Sequence, residues 1–345
     1  MFYRLSLFAA SMALSTICAS AQTPKELRIL VGYASGGGYD TYARVVAQHL
    51  GKHLRGAPAV IVQNMPGADG LTVANYMFTG PAKDGSVIAL TNRNIAVAPT
   101  LGLIEAKNVR YKAEQFYWIA NLNAEVSAIV ARSDAGITSI EDLKKRSLLV
   151  GSTGLTSNNA IYPYVTNNLI GTKMKVVAGY PGTSHLVLAL ERGEIAGIGG
   201  WAWSSIAVQK PTWISDKFII PLMQLGLEKH PDLRDVPMIT DFAKSEEDKL
   251  ALRLIFAPEA MGRPFFGPPG MDPTAGEALR EAFGNMVADP EFVATSTKAK
   301  LEVTFLNGKS LQTLVADLTR VTPGAIARAK QLTERGQTEV DEVRK

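Results

Sequence analysis

The chain has 345 residues, with 36 Lys and Arg against 32 Asp and Glu, a formal net charge of +4, 46% hydrophobic residues and a single cysteine. At roughly 100–200 residues per domain the length fits about two domains, the apolar fraction excludes a wholly disordered chain, and one cysteine excludes an intramolecular disulfide. Acidic and basic residues are interleaved, so no stripe of the kind that binds nucleic acid forms and nucleic acid is not expected as a partner.

Residues 1–4 make a short basic start. Residues 5–17 form an apolar run too short to span a bilayer, and Ala19-Ser20-Ala21 is a small-x-small cleavage site. Residues 1–21 are therefore expected to be a signal peptide, leaving an exported mature chain from Gln22 without cysteine. Lipidation at Cys18 is disfavoured by the bulky Ile17 before it. No later stretch reaches the ~18 apolar residues of a membrane helix.

The rest alternates strand and helix patterns. Residues 27–31 read as a strand, Gly36-Gly37-Gly38 as a turn, and Tyr42, Val45, Val46, His49 and Leu50 recur at helical spacing. Strands over 60–62 and 87–90 flank a helix over 68–78, and this β-α-β-α-β order predicts a parallel sheet. A second block follows residues 116–122. It has an apolar run over 126–130, a helix over 140–145 capped by Ser139 and strands over 148–150, 175–178, 195–198 and 218–220. Helices lie around 159–169 and after Gly182. Gly199-Gly200-Trp201 follows the 195–198 strand. Residues 222–273 show little periodicity before 250–256. Helices are expected over 275–288 and, as one long amphipathic helix packing on the first domain, over 311–335.

Three times a strand, a Gly/Ser/Thr-rich turn and a helix follow one another, at 32–40, 151–158 and 179–184. In open α/β sheets such turns lie where ligands bind. A helix N-terminus offers unpaired N–H groups and about +0.5 charge, so several converging ends can hold a carboxylate without a lysine. The candidate backbone donors are Gly36, Gly37 and Gly38 on one side and Thr153, Gly154 and Thr156 on the other. Ser152, Ser157, Tyr180 and Thr183 can add hydroxyls. Tyr33, Ser35 and Tyr39 belong to the first loop, where a tyrosine gives an apolar wall and a polar tip. Asn92 and Arg93 follow the third strand, and a guanidinium suits a carboxylate guest, though a surface arginine fits equally. Trp201 is the candidate aromatic wall. Asp40 is read as a structural helix cap, because a free carboxylate aimed at an anion opposes binding.

Enzyme signatures are missing. The first loop is neither a Walker loop nor G-x-G-x-x-G, and no G-x-S-x-G occurs. His49 and His53 have metal-ligand spacing, but Lys52 and Arg55 repel a cation. No cofactor and no metal are expected.

The run VGYASGGGYD from Val31 to Asp40, followed by Ala43 and Arg44, resembles the opening loop of the extracytoplasmic receptors of tripartite tricarboxylate transporters, the Bug receptors. NMPGADG from Asn64 to Gly70, Asp84-Gly85, Tyr180-Pro181-Gly182 with Leu190 to Glu194, Asp235-Val236-Pro237 and Asp289-Pro290-Glu291 resemble further motifs of that family, in order along residues 27–330. Tyr33, Ser35, Asn92, Arg93 and Asn94 depart from its usual residues where a ligand belongs, and the 151–158 loop lacks a frequent histidine.

The resemblance implies an α/β, two-domain, type II periplasmic-binding-protein-like fold with mainly parallel sheets and two crossovers. Domain one is expected over 24–122 plus 258–345 and domain two over 123–257. It implies a periplasmic, monomeric receptor that captures a small organic carboxylate (a di- or tricarboxylate or an aromatic acid) in the cleft and delivers it to the integral membrane subunits of a secondary transporter. An exported α/β enzyme acting on small organic acids, or a ligand-sensing module of a signalling system, are the competing readings.

Overall fold

The computed structural model describes residues 25–318 and 321–335. The predicted signal peptide, with Cys18, lies outside them. In chain order the first block is β1 (Glu26–Val31), α1 (Gly38–His49), β2 (Ala59–Asn64), α2 (Leu71–Thr79), β3 (Val87–Leu90) and β4 (Tyr117–Asn121). The second is β5 (Ser127–Arg132), α3 (Ile140–Lys145), β6 (Leu148–Ser152), α4 (Asn158–Ile170), β7 (Met174–Ala178), α5 (Thr183–Arg192), β8 (Gly197–Ala202), α6 (Trp203–Gln209), β9 (Ile219–Leu225) and α7 (Glu246–Phe256). The chain then returns through β10 (Pro264–Gly267), α8 (Pro273–Ala288), α9 (Pro290–Lys298), β11 (Leu306–Asn307), α10 (Gly308–Leu318) and α11 (Pro323–Thr333).

Two sheets result, ordered β11-β4-β10-β3-β1-β2 and β7-β6-β8-β5-β9, one in each lobe. The parallel pairing expected from the glycine turns holds for β2-β1-β3 and β7-β6-β8. The other half of each sheet is antiparallel. Parallel pairing needs a crossover element over the same sheet, whereas β4, β5 and β10 are reached through irregular segments or from the other lobe. Strand alternation sorts the core: Leu27, Ile29 and Val31 enter the layer under α1 and α8, while Leu30 faces the opposite layer.

Two adjacent segments, at 122–126 and 257–263, carry the chain between lobes and are tied to each other; a third passage leads from α10 to α11. Glu125 N–H donates to the Glu259 carbonyl at 2.7 Å, Gly262 N–H to Asn123 at 2.8 Å and Leu122 N–H to Arg263 at 3.3 Å.

Two elements differ from expectation. The strand expected over 195–198 is shifted: β8 starts at Gly197 and takes in Gly199, Gly200 and Trp201. A Cβ at Gly199 would lie 2.1 Å from Pro163 Cγ and one at Gly200 2.5 Å from the Asn158 carbonyl, so these glycines admit α4 against the strand. The single helix expected over 311–335 is two, with Thr322 capping a new start at Pro323. Only α10 packs on the first sheet, at β4. The second piece, α11, lies on α4 and α7 of the second lobe, where Arg328 meets Asp248 at 2.8 Å and Asn168 Nδ2 donates to the Leu332 carbonyl at 2.9 Å.

Candidate functional site

The first turns of α4 and α5 face the N-terminus of α1 across the gap between the sheets. A cavity of about 40 Å³ lies there. Of the residues singled out in the sequence, Tyr33, Tyr39, Asn92, Arg93, Thr153, Ser157, Thr183 and Trp201 line it. Tyr33 and Thr153 also line an adjoining groove of about 490 Å³, together with Gly154 and Tyr180. Ser35 is exposed at the rim, where its carbonyl accepts from Ser184 Oγ at 3.2 Å. Ser152 braces its own loop, its Oγ 2.7 Å from Ser157 Oγ, and does not line the cavity.

The first loop works differently from the simplest reading. The Gly36 N–H is already given to Asp40 Oδ2 at 2.8 Å. Asp40 is not the N-cap residue, which is Gly37, but the third residue of α1; it reaches back to Gly36 and also binds Arg44 (2.8 Å) and Asn64 (2.8 Å). These bonds hold its carboxyl below the usual range although burial opposes them. Steric demand falls on Gly38: a Cβ there would lie 2.1 Å from Ser205 Oγ and 3.2 Å from an Arg263 nitrogen, whereas one at Gly37 would meet Thr183 at 3.8 Å.

Arg93 lines the cavity but is committed to a partner. Its Nη2 lies 2.6 Å from Glu259 Oε1, and it also donates to Ser127 Oγ at 2.9 Å. Asn158 and Tyr162 donate to the same Glu259 oxygen. Burial pushes the Glu259 carboxyl up, and the Arg93 guanidinium opposes that. A second buried pair, Arg263 with Glu125 at 3.2 Å, is completed by Ser204 and Ser205 and by Tyr39 and Tyr42, whose rings are 4.8 Å from the Arg263 guanidinium. Trp201 forms a wall and Trp203 donates to Asp232 at 3.2 Å. The buried Trp201 Nε1, Arg263 Nε and Asn158 Oδ1 have no hydrogen-bond partner among the described residues. All three belong to residues that line the cavity.

Sequence reasoning missed Asn158, Asn159, Ser205, Arg263 and the buried acids Glu125, Glu259 and Asp69. Asp69 accepts from Tyr33 Oη (2.9 Å) and Asn92 of its own lobe and from Thr153 Oγ1 (2.8 Å) and Thr156 Oγ1 (3.4 Å) of the other. Burial pushes its carboxyl up to about 6, against the pull of those hydrogen bonds. The turn residues Gly67 and Gly70 beside it were the only local signal.

Two α/β lobes joined by paired crossover segments, with a polar cleft between them, are the build of the periplasmic binding proteins. The structure of the periplasmic binding protein BugD superposes with a TM-score of 0.71 at 19% identity, over 90% of this chain and 99% of that one. MatC from Rhodopseudomonas palustris with bound malate gives 0.66 at 17% identity, over 90% and 99%, and an R. palustris protein with adipate 0.67 at 17%, over 89% and 95%. The chain belongs to the tripartite tricarboxylate transporter family receptors, whose family model matches residues 42–332. A UPF0065 protein of Cupriavidus necator is 23% identical over 89% of this chain and 90% of its own length. A Bordetella bronchiseptica UPF0065 protein is 27% identical over 55% of this chain, and the match spans 58% of that relative.

Proposed function

We propose that this protein is a periplasmic receptor that captures a small organic carboxylate between its lobes and passes it to the integral membrane subunits of a tripartite tricarboxylate-type secondary transporter. The observation that carries the reading is the convergence of the N-termini of α1, α4 and α5 on one cleft in a chain of this receptor family. Each helix end contributes about 0.3–1 kcal/mol to holding an anion, more when partly buried. The malate and adipate bound by two structural relatives fit the same chemistry. Guest contacts from both lobes favour the closed arrangement, which the membrane subunits then read. One lobe is built on the first sheet with α8 to α10 and the other on the second sheet, with α11 packed on the second lobe and not on the first as the boundaries 24–122 plus 258–345 and 123–257 have it; residues 1–21 are removed on export, and the receptor acts as a monomer. No bond of the guest is made or broken.

Mass spectrometry of small molecules released from the denatured, purified protein tests this, with a thermal-shift panel of mono-, di- and tricarboxylates beside it. An organic acid in the released fraction and a raised Tm with acids of its class are expected. Absence of both defeats the reading, and conversion of an added acid, followed by NMR, replaces the receptor by an enzyme.

A further inference from the structure

Each guanidinium of the cleft is already matched: Arg93 by Glu259 and Arg263 by Glu125. Asp69 is the unmatched charge. Its side chain is buried, and its bonding partners among the described residues are two threonine hydroxyls, a phenol and an amide, all neutral. It holds a left-handed backbone, φ 55°, which Asp tolerates better than most residues. Opposite it, a Cβ on Gly154 would come within 2.7 Å of its Cβ, so the 151–158 loop closes directly onto this side chain. The donors gathered on Asp69 are the set that a guest carboxylate needs, and they include the Thr153 and Thr156 loop. Asp69 lines the 490 Å³ groove, and Tyr33 and Thr153, which donate to its carboxylate, line both that groove and the 40 Å³ cavity.

We propose that Asp69 takes the place of one guest carboxylate, so that the cleft selects acids with a single carboxylate over their dicarboxylate counterparts. This rests on the reading of the cleft as a carboxylate receptor site. A guest with two carboxylates must either set its second charge near an uncompensated, buried carboxylate, where like charges repel, or pull Asp69 off Thr153 and Thr156 and break a contact between the lobes. A guest with one carboxylate does neither. Asp69 is thus a specificity-determining residue, and its sign of charge, more than its size, sets the preference.

Isothermal titration calorimetry of the purified receptor with two matched pairs, hexanoate with adipate and benzoate with terephthalate, tests the proposal. The wild type is expected to bind the monocarboxylate at least tenfold tighter within a pair. Asp69→Asn keeps the shape, removes the charge and should cut that ratio to about threefold or less, by gaining on the dicarboxylate. Asp69→Ser gives the same readout with a smaller side chain should the first variant not fold. A wild type that binds the dicarboxylate as tightly as its partner, or a ratio unchanged in both variants, overturns the role of Asp69 and leaves the receptor reading standing. No binding of any of the four acids, with no organic acid released from the protein, overturns the receptor reading and this inference together.

Discussion

The Arg93 and Glu259 side chains are only 3% and 2% exposed and join the first lobe to a crossover segment. Burying two charges is costly, and removing one partner leaves the other uncompensated, at a cost of about 3–5 kcal/mol. Arg93→Met should therefore lower the urea midpoint steeply, and adding Glu259→Gln should recover most of the loss; a double variant no more stable than the single one contradicts the pairing. Asp69 predicts a pH effect of definite sign. Its folded value of about 6 exceeds the unfolded one near 3.9, so the native state holds its proton more tightly. Asp69 then costs nothing below about pH 4, and the cost grows as pH rises to 6, to on the order of 3 kcal/mol, and stays constant above. Asp69→Asn should lack that decline, so the stability gap between variant and wild type opens between pH 4 and 6. A gap flat across that range contradicts the buried, ionised carboxylate. The sequence marks the candidate loops through glycine and hydroxyl residues between strand and helix, a pattern that α/β proteins share and that gains weight only by its threefold recurrence. It hides Asp69, Glu125 and Glu259. Asp69 looks like any turn residue until Thr153, far along the chain, arrives on top of it, and the two glutamates meet only because the crossovers run side by side.

Strands β1, β2 and β3 are legible because short apolar runs are bounded by glycine turns and joined by periodic helices. β10 is not: Pro264 opens it, Pro268 and Pro269 follow, and it is too short to show alternation. β8 is masked by its own glycines, whose purpose is the approach of α4. The α10–α11 break shows a third effect, in which an amphipathic pattern continues across Pro323 while the partner surface changes from one lobe to the other. Leu332 is fully buried in that second contact. Leu332→Ala should cost about 2–5 kcal/mol of stability, the range for truncating a buried leucine, measured by urea titration. A loss under 1 kcal/mol contradicts firm docking of α11 on the second lobe.

On the proposed reading, capture depends on closure of the two lobes. The 40 Å³ cavity holds about one water and no organic acid, so a guest seated there, and not in the adjoining 490 Å³ groove, needs the lobes to separate. At the mouth they touch: Ala34 N–H donates to the Pro181 carbonyl at 3.4 Å, Gln209 donates to Gly36 at 3.2 Å, and Asn94 donates to Thr156 at 3.3 Å. Deeper in the cleft the lobes also meet through the Thr153 and Thr156 hydroxyls on buried Asp69, while the crossover segments behind are continuous chain. Opening therefore breaks the mouth and bends the crossovers, as a hinge does. A lock can be built on this geometry. A Cβ placed on Gly182 would stand 3.5 Å from Ala34 Cβ, within the span of a disulfide, and Gly182 has extended backbone, φ 179°, that any residue adopts. Ala34→Cys with Gly182→Cys, in a chain whose sole native cysteine is Cys18, should oxidise to a crosslink between the lobes. Oxidised empty, the variant should fail to bind the acid that the wild type binds best in the calorimetric panel. Reduction should restore binding, and protein loaded before oxidation should keep its guest through dialysis. Unaltered uptake by the crosslinked form means that the guest does not enter between these two loops.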